Sequence, residues 1–459
     1  MLRRFLLSSP PARREATMAG RRRRRRRRHL RQEGSPPEDP STSPMEPTTR
    51  REVSIPDRPS KKTCHASSST SSFVSCTDVW ADLTDGLLLQ IIALLSSFHD
   101  LLALIGTCHS WRAALSSLPP AFIFNFPPLH LQADDYDRRP HHNYFNLSLL
   151  SSIKWQLVNP AKKMSSRRCS VPQNIRVRMR FFGCSYGYLI FFNMEECLLV
   201  DVYSGAIVKP PKLKSTGNHD IYCGFLAAPF NSFNSHLLFC SKSSMFLWQV
   251  GSNSWSEHPL DVQDILQIVL FKGEMIAMDL LGRFHRMRLV PQLSVQQVAV
   301  MWEEDMVVGQ SYKQWLVVCG DMLLLVDLPI SIDPISGFCV TFKVLSLDFS
   351  VEPAKWVKVD NLGNNALFVS NDTRTPTFSC TNPERWGGKS NSIYFANSST
   401  DPSDRNEPWI VTKLGDVVPF TNLCSTYSSE LIQVPRPGGR IHQQQSLWVV
   451  PSFVYGIGS

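Results

Sequence analysis

Few residues of this 459-residue chain stand at the spacings that catalysis or metal binding requires. The sequence contains no His-Glu-x-x-His zinc motif and no Gly-x-x-x-x-Gly-Lys phosphate loop. His141 and His142 are adjacent, so their side chains point in different directions in a helix or a strand and do not make a metal site. The sequence therefore predicts no catalytic residues, no metal and no cofactor.

Carboxylates that work in acid–base pairs need burial and contrasting surroundings. Glu195–Glu196 and Glu303–Asp305 instead fall in polar, turn-like segments, and we interpret them as exposed charges. Asp201, Asp279 and Asp327 recur at the ends of apolar runs, where aspartate commonly closes turns. These acidic residues predict turns rather than chemistry.

The formal net charge of +9 is not spread over the chain. Residues 1–50 hold 14 arginines against five acidic residues, which accounts for the whole excess, and Arg21–Arg28 are consecutive. We expect residues 1–75, rich in Arg, Ser and Pro, to be a disordered tail. The arginine run reads as a nuclear localisation signal, a nucleic-acid-binding arm or a solvated tail. The neutral remainder makes nucleic acid an unexpected partner elsewhere.

Twelve cysteines are scattered without a Cys-x-x-Cys pair, and many lie in apolar runs. This pattern is typical of buried, reduced thiols in a protein of the cytoplasm or nucleus, or of both. The apolar run Leu87–Leu95 is interrupted by Gln90 and is far shorter than a membrane span, so no transmembrane helix is predicted.

Residues 76–120 predict a module of three short helices. Thr84 and Asp85 suit the start of the first helix. Asp100 is expected to open the second helix and Ser110 the third, which ends before Pro119. The first helix has one apolar face at helical spacing, together with three leucines off that face; a module of this size cannot cover them all, which predicts a partner protein. The face comprises Leu88, Ile91, Ile92 and Leu95, and the additional leucines are Leu87, Leu89 and Leu94.

The order of residues in this module resembles an F-box. The resemblance rests on Trp80-x-x-Leu83, on the Leu-Leu-x-x-Ile-Ile run that follows, and on Cys108-x-x-Trp111-Arg112. Thr84 stands where the family usually has proline. The resemblance implies structural roles for Trp80, Cys108, Trp111 and Arg112, and binding to the Skp-type adaptor of a cullin–RING ubiquitin ligase. The implied adaptor-binding residues are Leu83, Leu87, Leu88, Ile91, Ile92, Leu95, Leu101 and Leu104.

Short apolar runs separated by Gly, Pro, Asn and Ser clusters fill the C-terminal part of the chain and predict an all-β domain. Hairpin-like units recur every 30–50 residues, as in a β-propeller. The stretches GCSYGYLIFF and WVKVDNLGNNALFVSND resemble a plant family of F-box proteins with a C-terminal β-propeller. We therefore predict an F-box over 76–120, a linker over 121–144 and a propeller over 145–459.

The segment Asn371–Ser392 reads as a long polar loop, and Arg385 and Trp386 within it are candidate target-binding residues. A second such loop is expected over Asn397–Pro408. These features predict a non-catalytic substrate receptor of a ubiquitin ligase, with an adaptor, a cullin and an unknown target protein as partners. The alternative is a propeller that binds a ligand or acts as an enzyme, with the helical segment packed internally.

Overall fold

The computed structural model describes residues 83–95, 97–107, 111, 126–133, 154–161, 166–170, 179–193, 195–214, 221–262, 264–290, 292–302, 311–333, 337–396, 409–423 and 446–452. The expected N-terminal tail, the arginine run, His141–His142, Glu303–Asp305 and the loop Asn397–Pro408 lie outside the described residues.

Two helices of the predicted helical module are described, α1 (Asp85–Leu94) and α2 (Phe98–Thr107). The predicted start at Thr84 is confirmed, since the Thr84 carbonyl accepts the Leu88 N–H at 3.1 Å, although the Thr84 hydroxyl makes no capping bond. The third predicted helix lies outside the described residues except for Trp111, so the three-helix arrangement is not confirmed.

The predicted start of the second helix at Asp100 is wrong, because Ser97 caps it. The Asp100 N–H donates to Ser97 Oγ at 3.3 Å, and Ser97 Oγ donates to Asp100 Oδ2 at 2.7 Å. Asp100 thus stands in the first turn as the partner of the cap rather than as the cap itself.

The rest of the described chain is almost entirely β-strand, as predicted. The strands are β1 (Leu129–Ala133), β2 (Lys154–Val158), β3 (Ser166–Ser170), β4 (Arg180–Ser185), β5 (Tyr188–Asn193), β6 (Glu196–Asp201), β7 (Ile207–Val208), β8 (Cys223–Leu226), β9 (His236–Cys240), β10 (Ser244–Gln249), β11 (Ser256–Pro259), β12 (Ile265–Phe271), β13 (Glu274–Asp279), β14 (Phe284–Arg288), β15 (Ser294–Val298), β16 (Val300–Met301), β17 (Ser311–Cys319), β18 (Met322–Asp333), β19 (Gly337–Thr341), β20 (Lys343–Asp348), β21 (Ala354–Val359), β22 (Asn365–Ser370), β23 (Phe378–Thr381), β24 (Ser392–Ala396), β25 (Trp409–Lys413), β26 (Val417–Pro419) and β27 (Leu447–Val449). One short helix, α3 (Phe420–Leu423), follows β26.

Within the described residues these strands form six sheets, which follow one another along the chain. Their orders are β27-β1-β2-β3, β4-β5-β6-β7, β8-β9-β10-β11, β12-β13-β14-β15, β23-β22-β24-β25, and a larger sheet in which β16, β21, β20, β18, β19 and β26 are neighbours and β17 pairs with β18.

Neighbouring sheets pack against each other, because successive residues of one strand belong to two different hydrophobic clusters. On β5, Leu189 and Phe191 belong to one hydrophobic cluster, whereas Ile190 and Phe192 belong to the next. A strand buried on both faces reads as a continuous apolar run, which explains the stretch YLIFF. Strands β4, β8, β12, β17 and β23 lie next to one another in that order, as the innermost strands of a ring. The predicted β-propeller is thereby confirmed.

One sheet closes the ring with strands from both ends of the domain. In it β1 pairs with β2 and also with β27, with Leu131 opposite Leu447. We call the sheet β27-β1-β2-β3 the closing sheet. The segment predicted as a linker, 121–144, therefore contributes β1 to the propeller, because Leu129 and Leu131 lie on a strand between two others and are buried.

Candidate functional site

The outward face of α1 carries exposed apolar side chains. Leu87 is 49% exposed and Leu94 is 80% exposed, and residues seven apart lie on the same side of a helix. Ile91 lies between them on this side and is partly buried. Exposure of this kind is costly in water and marks a surface that a partner can cover. We call Leu87, Ile91 and Leu94 the outer stripe.

The inward face of α1 packs on its own chain. Leu88 and Ile92 are 2% and 4% exposed and belong to the same hydrophobic cluster as the closing sheet. In α2, Phe98 contacts Phe126, with ring centroids 5.3 Å apart, immediately before β1. The helices and the propeller thus share one core.

The structure divides the predicted adaptor-binding residues into three groups. Leu88, Ile92, Leu101 and Leu104 are buried, Leu83, Ile91 and Leu95 are partly buried, and Leu87 is exposed. Leu94, which the F-box pattern did not include, is the most exposed of the described leucines of α1. The sequence signal that could have identified Leu94 is its position off the apolar inner face of the helix. Of the predicted structural residues, Trp111 packs against the shared core, and Trp80, Cys108 and Arg112 lie outside the described residues.

The candidate target-binding pair is split between surface and interior. Arg385 is exposed, whereas Trp386 is buried and donates its indole N–H to Cys380 Sγ at 3.3 Å. The predicted long loop is also wrong, since the segment contains β23 and a short helical turn, Pro383–Trp386. An indole that anchors this turn orders Arg385 next to it, so Arg385 is the member of the pair that a partner can reach.

Residues 371–377 form a turn between the innermost strands, which we call the axial turn. Cys184 of β4 donates its N–H to the Arg374 carbonyl at 3.4 Å, and Arg374 Nη1 donates to the Phe181 carbonyl at 2.9 Å. On another side of the ring, Thr377 Oγ1 donates to the Leu316 carbonyl of β17 at 2.5 Å. Gln267 Nε2 of β12 also donates to Thr377 Oγ1, at 3.5 Å. Contacts with three of the inner strands place the turn in the centre of the ring.

Charged groups of the axial turn neutralise one another. Arg374 Nη2 lies 2.5 Å from Asp372 Oδ2, and Lys313 Nζ donates to Asn371. Burial would raise the pKa of Asp372, but Arg374 and then Lys313 hold it below its ordinary value. The centre of the ring is therefore occupied by a paired, hydrogen-bonded piece of the chain rather than by free charges awaiting a substrate.

The prediction of no catalytic residues overlooked one motif that contains a serine. Gly183 to Gly187 reads GCSYG, the Gly-x-Ser-x-Gly spacing of a hydrolase nucleophile elbow. That chemistry needs a strand-to-helix turn that exposes the serine, whereas here the motif joins β4 to β5. Ser185 is 4% exposed, and its Oγ accepts the Leu226 N–H at 3.2 Å. The motif is a β-hairpin.

Gly187 explains why glycine stands at that turn. It has φ +78°, and a Cβ there would collide with the backbone of Ser452, just after β27. Glycine at this position thus allows the chain that follows β27 to pack on the sheet β4-β5-β6-β7. The second glycine of the motif is therefore explained by packing.

All three recurrent aspartates were predicted to close turns; Asp201 and Asp279 do so, and the prediction for Asp327 is wrong because it lies within β18. Asp201 Oδ1 accepts the N–H groups of Tyr203 and Ser204, and Asp279 Oδ1 accepts those of Leu281 and Arg283. Asp327 instead accepts a hydrogen bond from Gln314 on the neighbouring strand, at 3.1 Å. Each carboxylate serves the local backbone or a neighbouring strand.

Two buried histidines sit in similar structural roles. Asp279 Oδ2 lies 3.1 Å from His285 Nε2 and 2.7 Å from Arg283 Nε. Burial opposes ionisation of Asp279, but the bonds from His285 and Arg283 hold its pKa below the ordinary value. His130 Nε2 lies 2.5 Å from Ser446 Oγ in the closing sheet, and burial lowers the pKa of His130 to about 3. A neutral His130 contributes to ring closure.

Two further features are absent from the described residues, a group of metal ligands and a membrane-spanning helix. No three His, Cys, Asp or Glu side chains there are grouped as metal ligands. No helix in that part of the chain has the length and apolarity that a membrane span requires.

Known proteins match this chain over a large part of its length. Residues 157–427 match the family model described as the KIB1-4 beta-propeller. "Putative F-box protein At3g25750" of Arabidopsis thaliana is 28% identical over 343 residues, which cover 69% of this chain and 87% of that protein. "F-box protein At2g26160" of the same plant is 34% identical over 164 residues, or 35% of this chain and 46% of that protein.

Among solved structures, the major Malassezia sympodialis allergen Mala s 1 is 12% identical over 45% of this chain and 72% of its own, with a TM-score of 0.29. A likeness this slight adds nothing to the fold described above. The family match and the two plant relatives agree with the resemblance seen in the sequence. The chain belongs to the KIB1-4 β-propeller family, as a plant F-box protein with a C-terminal propeller.

Proposed function

We propose that this protein is a substrate receptor of a Skp–cullin–F-box ubiquitin ligase. In this role it binds the Skp-type adaptor through its helical segment and a target protein through its propeller. The observation that carries the proposal is the outer stripe, an exposed apolar surface on α1 in the segment that has the F-box pattern. The F-box names of the two plant relatives support the same role.

The outer stripe suits an adaptor interface. Leu87 and Leu94 are aliphatic and exposed, and the centre of a protein interface is typically apolar and free of unpaired charge. The inward residues Leu88 and Ile92 hold the helix on the propeller. We therefore assign adaptor contact to Leu87, Ile91 and Leu94, and support of the helix to the buried members of the predicted set.

The receptor performs no chemistry in this proposal. It raises the local concentration of its target beside the ligase. The axial turn supports this role over a ligand channel, because it occupies the centre of the ring with paired charges. The target then binds to loops around the propeller, where Arg385 is one exposed candidate. We place the complex in the nucleus, the cytoplasm or both, with Arg21–Arg28 as the candidate nuclear signal.

The test is co-purification of the full chain with a Skp-type adaptor. We expect the wild-type protein to bind, and the double variant Leu87→Glu, Leu94→Glu to lose at least tenfold in affinity, because each carboxylate would be desolvated in an apolar interface. Ile332→Glu is the matched control, since Ile332 is also aliphatic and is 73% exposed in the propeller.

Circular dichroism and thermal unfolding establish that each variant is folded. A wild-type protein that binds no Skp-type adaptor contradicts the proposal. Equal binding by a folded Leu87→Glu, Leu94→Glu variant contradicts the assignment of the outer stripe and leaves another face of the F-box as the contact.

A further inference from the structure

Two cysteines face each other directly on neighbouring strands of the third sheet along the chain. Cys223 begins β8 and Cys240 ends β9, and the antiparallel register pairs them residue to residue. Both are buried, at 4% and 0% exposed, and both are free thiols. Among the paired strand positions of the described residues, this is the one at which cysteine stands opposite cysteine.

The backbone geometry fits a disulfide without a change of register. Directly opposed residues of antiparallel strands have Cα atoms about 4.5–5.5 Å apart. Disulfide bridges need about 4.4–6.8 Å. Side chains of directly opposed residues point to the same face of a sheet, and both cysteines belong to one hydrophobic cluster, so the two thiols are neighbours. Little movement separates this arrangement from a bond.

The charges around the pair distinguish the two thiols. The Arg374 guanidinium of the axial turn interacts electrostatically with Cys223. The neighbouring Cys223 side chain, and then burial, raise the pKa of Cys240 well above its ordinary value. Cys223 is the sulfur of the pair that has a positive charge beside it, so we assign the first attack on an oxidant to Cys223.

We propose that Cys223 and Cys240 are a peroxide-sensitive pair that closes to a disulfide between β8 and β9. The Cys223 sulfur attacks one oxygen of hydrogen peroxide as its thiol proton leaves, the O–O bond breaks, and Cys223 becomes a sulfenic acid while the leaving hydroxide takes up that proton as water. Cys240 then attacks the Cys223 sulfur, its proton leaves with the hydroxyl as a second water, and the S–S bond forms. The two sulfurs lose two electrons in all, and the peroxide gains them.

The position of the pair gives the bond a structural consequence. Cys184 of β4, the neighbouring inner strand, bonds to the Arg374 carbonyl, so the pair lies beside the anchored axial turn. Oxidation converts the Cys223 thiol beside Arg374 into a disulfide sulfur and joins two strands that now share only hydrogen bonds. It therefore changes the attachment of the axial turn to the third sheet. This inference is independent of the proposed ligase function.

The test treats the folded full-length protein with hydrogen peroxide, blocks remaining thiols, digests it without reductant and analyses the peptides by mass spectrometry. We expect one cross-linked species that joins the peptides of Cys223 and Cys240, lighter by two hydrogens than the sum of the two and lost on reduction. Cys197 is the internal control, because it is equally buried and faces Phe192.

Two variants test the order in which the two cysteines react. Cys240→Ser is expected to stop at a sulfenic acid on Cys223, which dimedone labels, whereas Cys223→Ser is expected to leave Cys240 unlabelled. The proposal is overturned if the wild-type protein forms no Cys223–Cys240 cross-link, or if Cys197 is oxidised as fast as Cys223. The wild-type measurement decides the matter even where a variant fails to fold.

Discussion

The closing sheet and helix α1 contribute to one hydrophobic core, yet they use the same residue types differently. In the closing sheet, Leu131, Trp155 and Leu447 are all 0% exposed. In α1, Leu88 is 2% exposed and Leu94 is 80% exposed. A strand of the closing sheet is covered on both faces, whereas a helix at the edge of the molecule is covered on one. Apolar residues therefore stabilise the fold in the first region and are divided between stability and binding in the second.

The largest effect that tests this comparison is expected in the closing sheet. Trp448→Ala removes a fully buried indole whose N–H donates to the Val369 and Tyr394 carbonyls at 3.0 and 3.2 Å. We expect the free energy of unfolding to fall by about 3–5 kcal/mol, measured by chemical denaturation. Phe233→Ala is the control, since Phe233 is 93% exposed, and a change there as large as that at Trp448 would refute the assignment.

The second effect separates the two faces of α1. Leu88→Ala empties a site in the shared core and is expected to cost about 2–5 kcal/mol of unfolding free energy. Leu94→Ala is expected to change it by less than about 0.5 kcal/mol, because its side chain is in solvent. Denaturation of both variants checks this, and equal losses would show that the outer stripe is covered by the protein itself.

The third effect is a dependence on pH that belongs to the closing sheet. An unfolded histidine has a pKa of about 6.5, whereas burial lowers that of His130 to about 3. Between these pH values the histidine is protonated in the unfolded chain but not in the folded chain. The free energy of unfolding present above pH ~6.5 therefore decreases as the pH falls. We expect a contribution of about 1.4 kcal/mol per pH unit in this window.

The comparison of wild type with His130→Gln, which keeps a polar partner for Ser446, isolates this contribution. Unfolding is measured from pH 7 to about pH 5.5, above the range in which most carboxylates of the unfolded chain take up protons. Identical slopes for the two proteins in that window would contradict a neutral, buried His130.

The smallest effect concerns the start of α2. Ser97→Ala removes the acceptor for the Asp100 N–H and the donor to the Asp100 carboxylate. We expect a loss of about 1 kcal/mol in unfolding free energy, typical of an N-cap. Thr84→Ala is the matched control at the start of α1, where the hydroxyl makes no capping bond. A loss at Thr84 equal to that at Ser97 would mean that the caps are wrongly assigned.

Local pattern was sufficient for much of the fold. Short apolar runs such as YLIFF, separated by turn residues, predicted the all-β domain, because strands are short and turns are frequent in that class. The local sequence pattern gave wrong predictions where more than one residue could fill a structural role. Asp100 is a reasonable cap by residue type, yet Ser97 lies three residues earlier and satisfies both partners. Trp386 had the residue type of a binding contact but is packed inside against Phe368 of β22, which only the fold brings near it.

The sequence by itself determined the type of each module, because helical and strand periodicities and the order of the F-box residues are properties of neighbours along the chain. Only the tertiary structure decided which leucines of α1 face solvent, that residues 371–377 enter the centre of the ring, and that Cys223 meets Cys240. Those facts depend on pairing between distant segments. Several registers satisfy the same local pattern, and the burial of the whole core selects one of them.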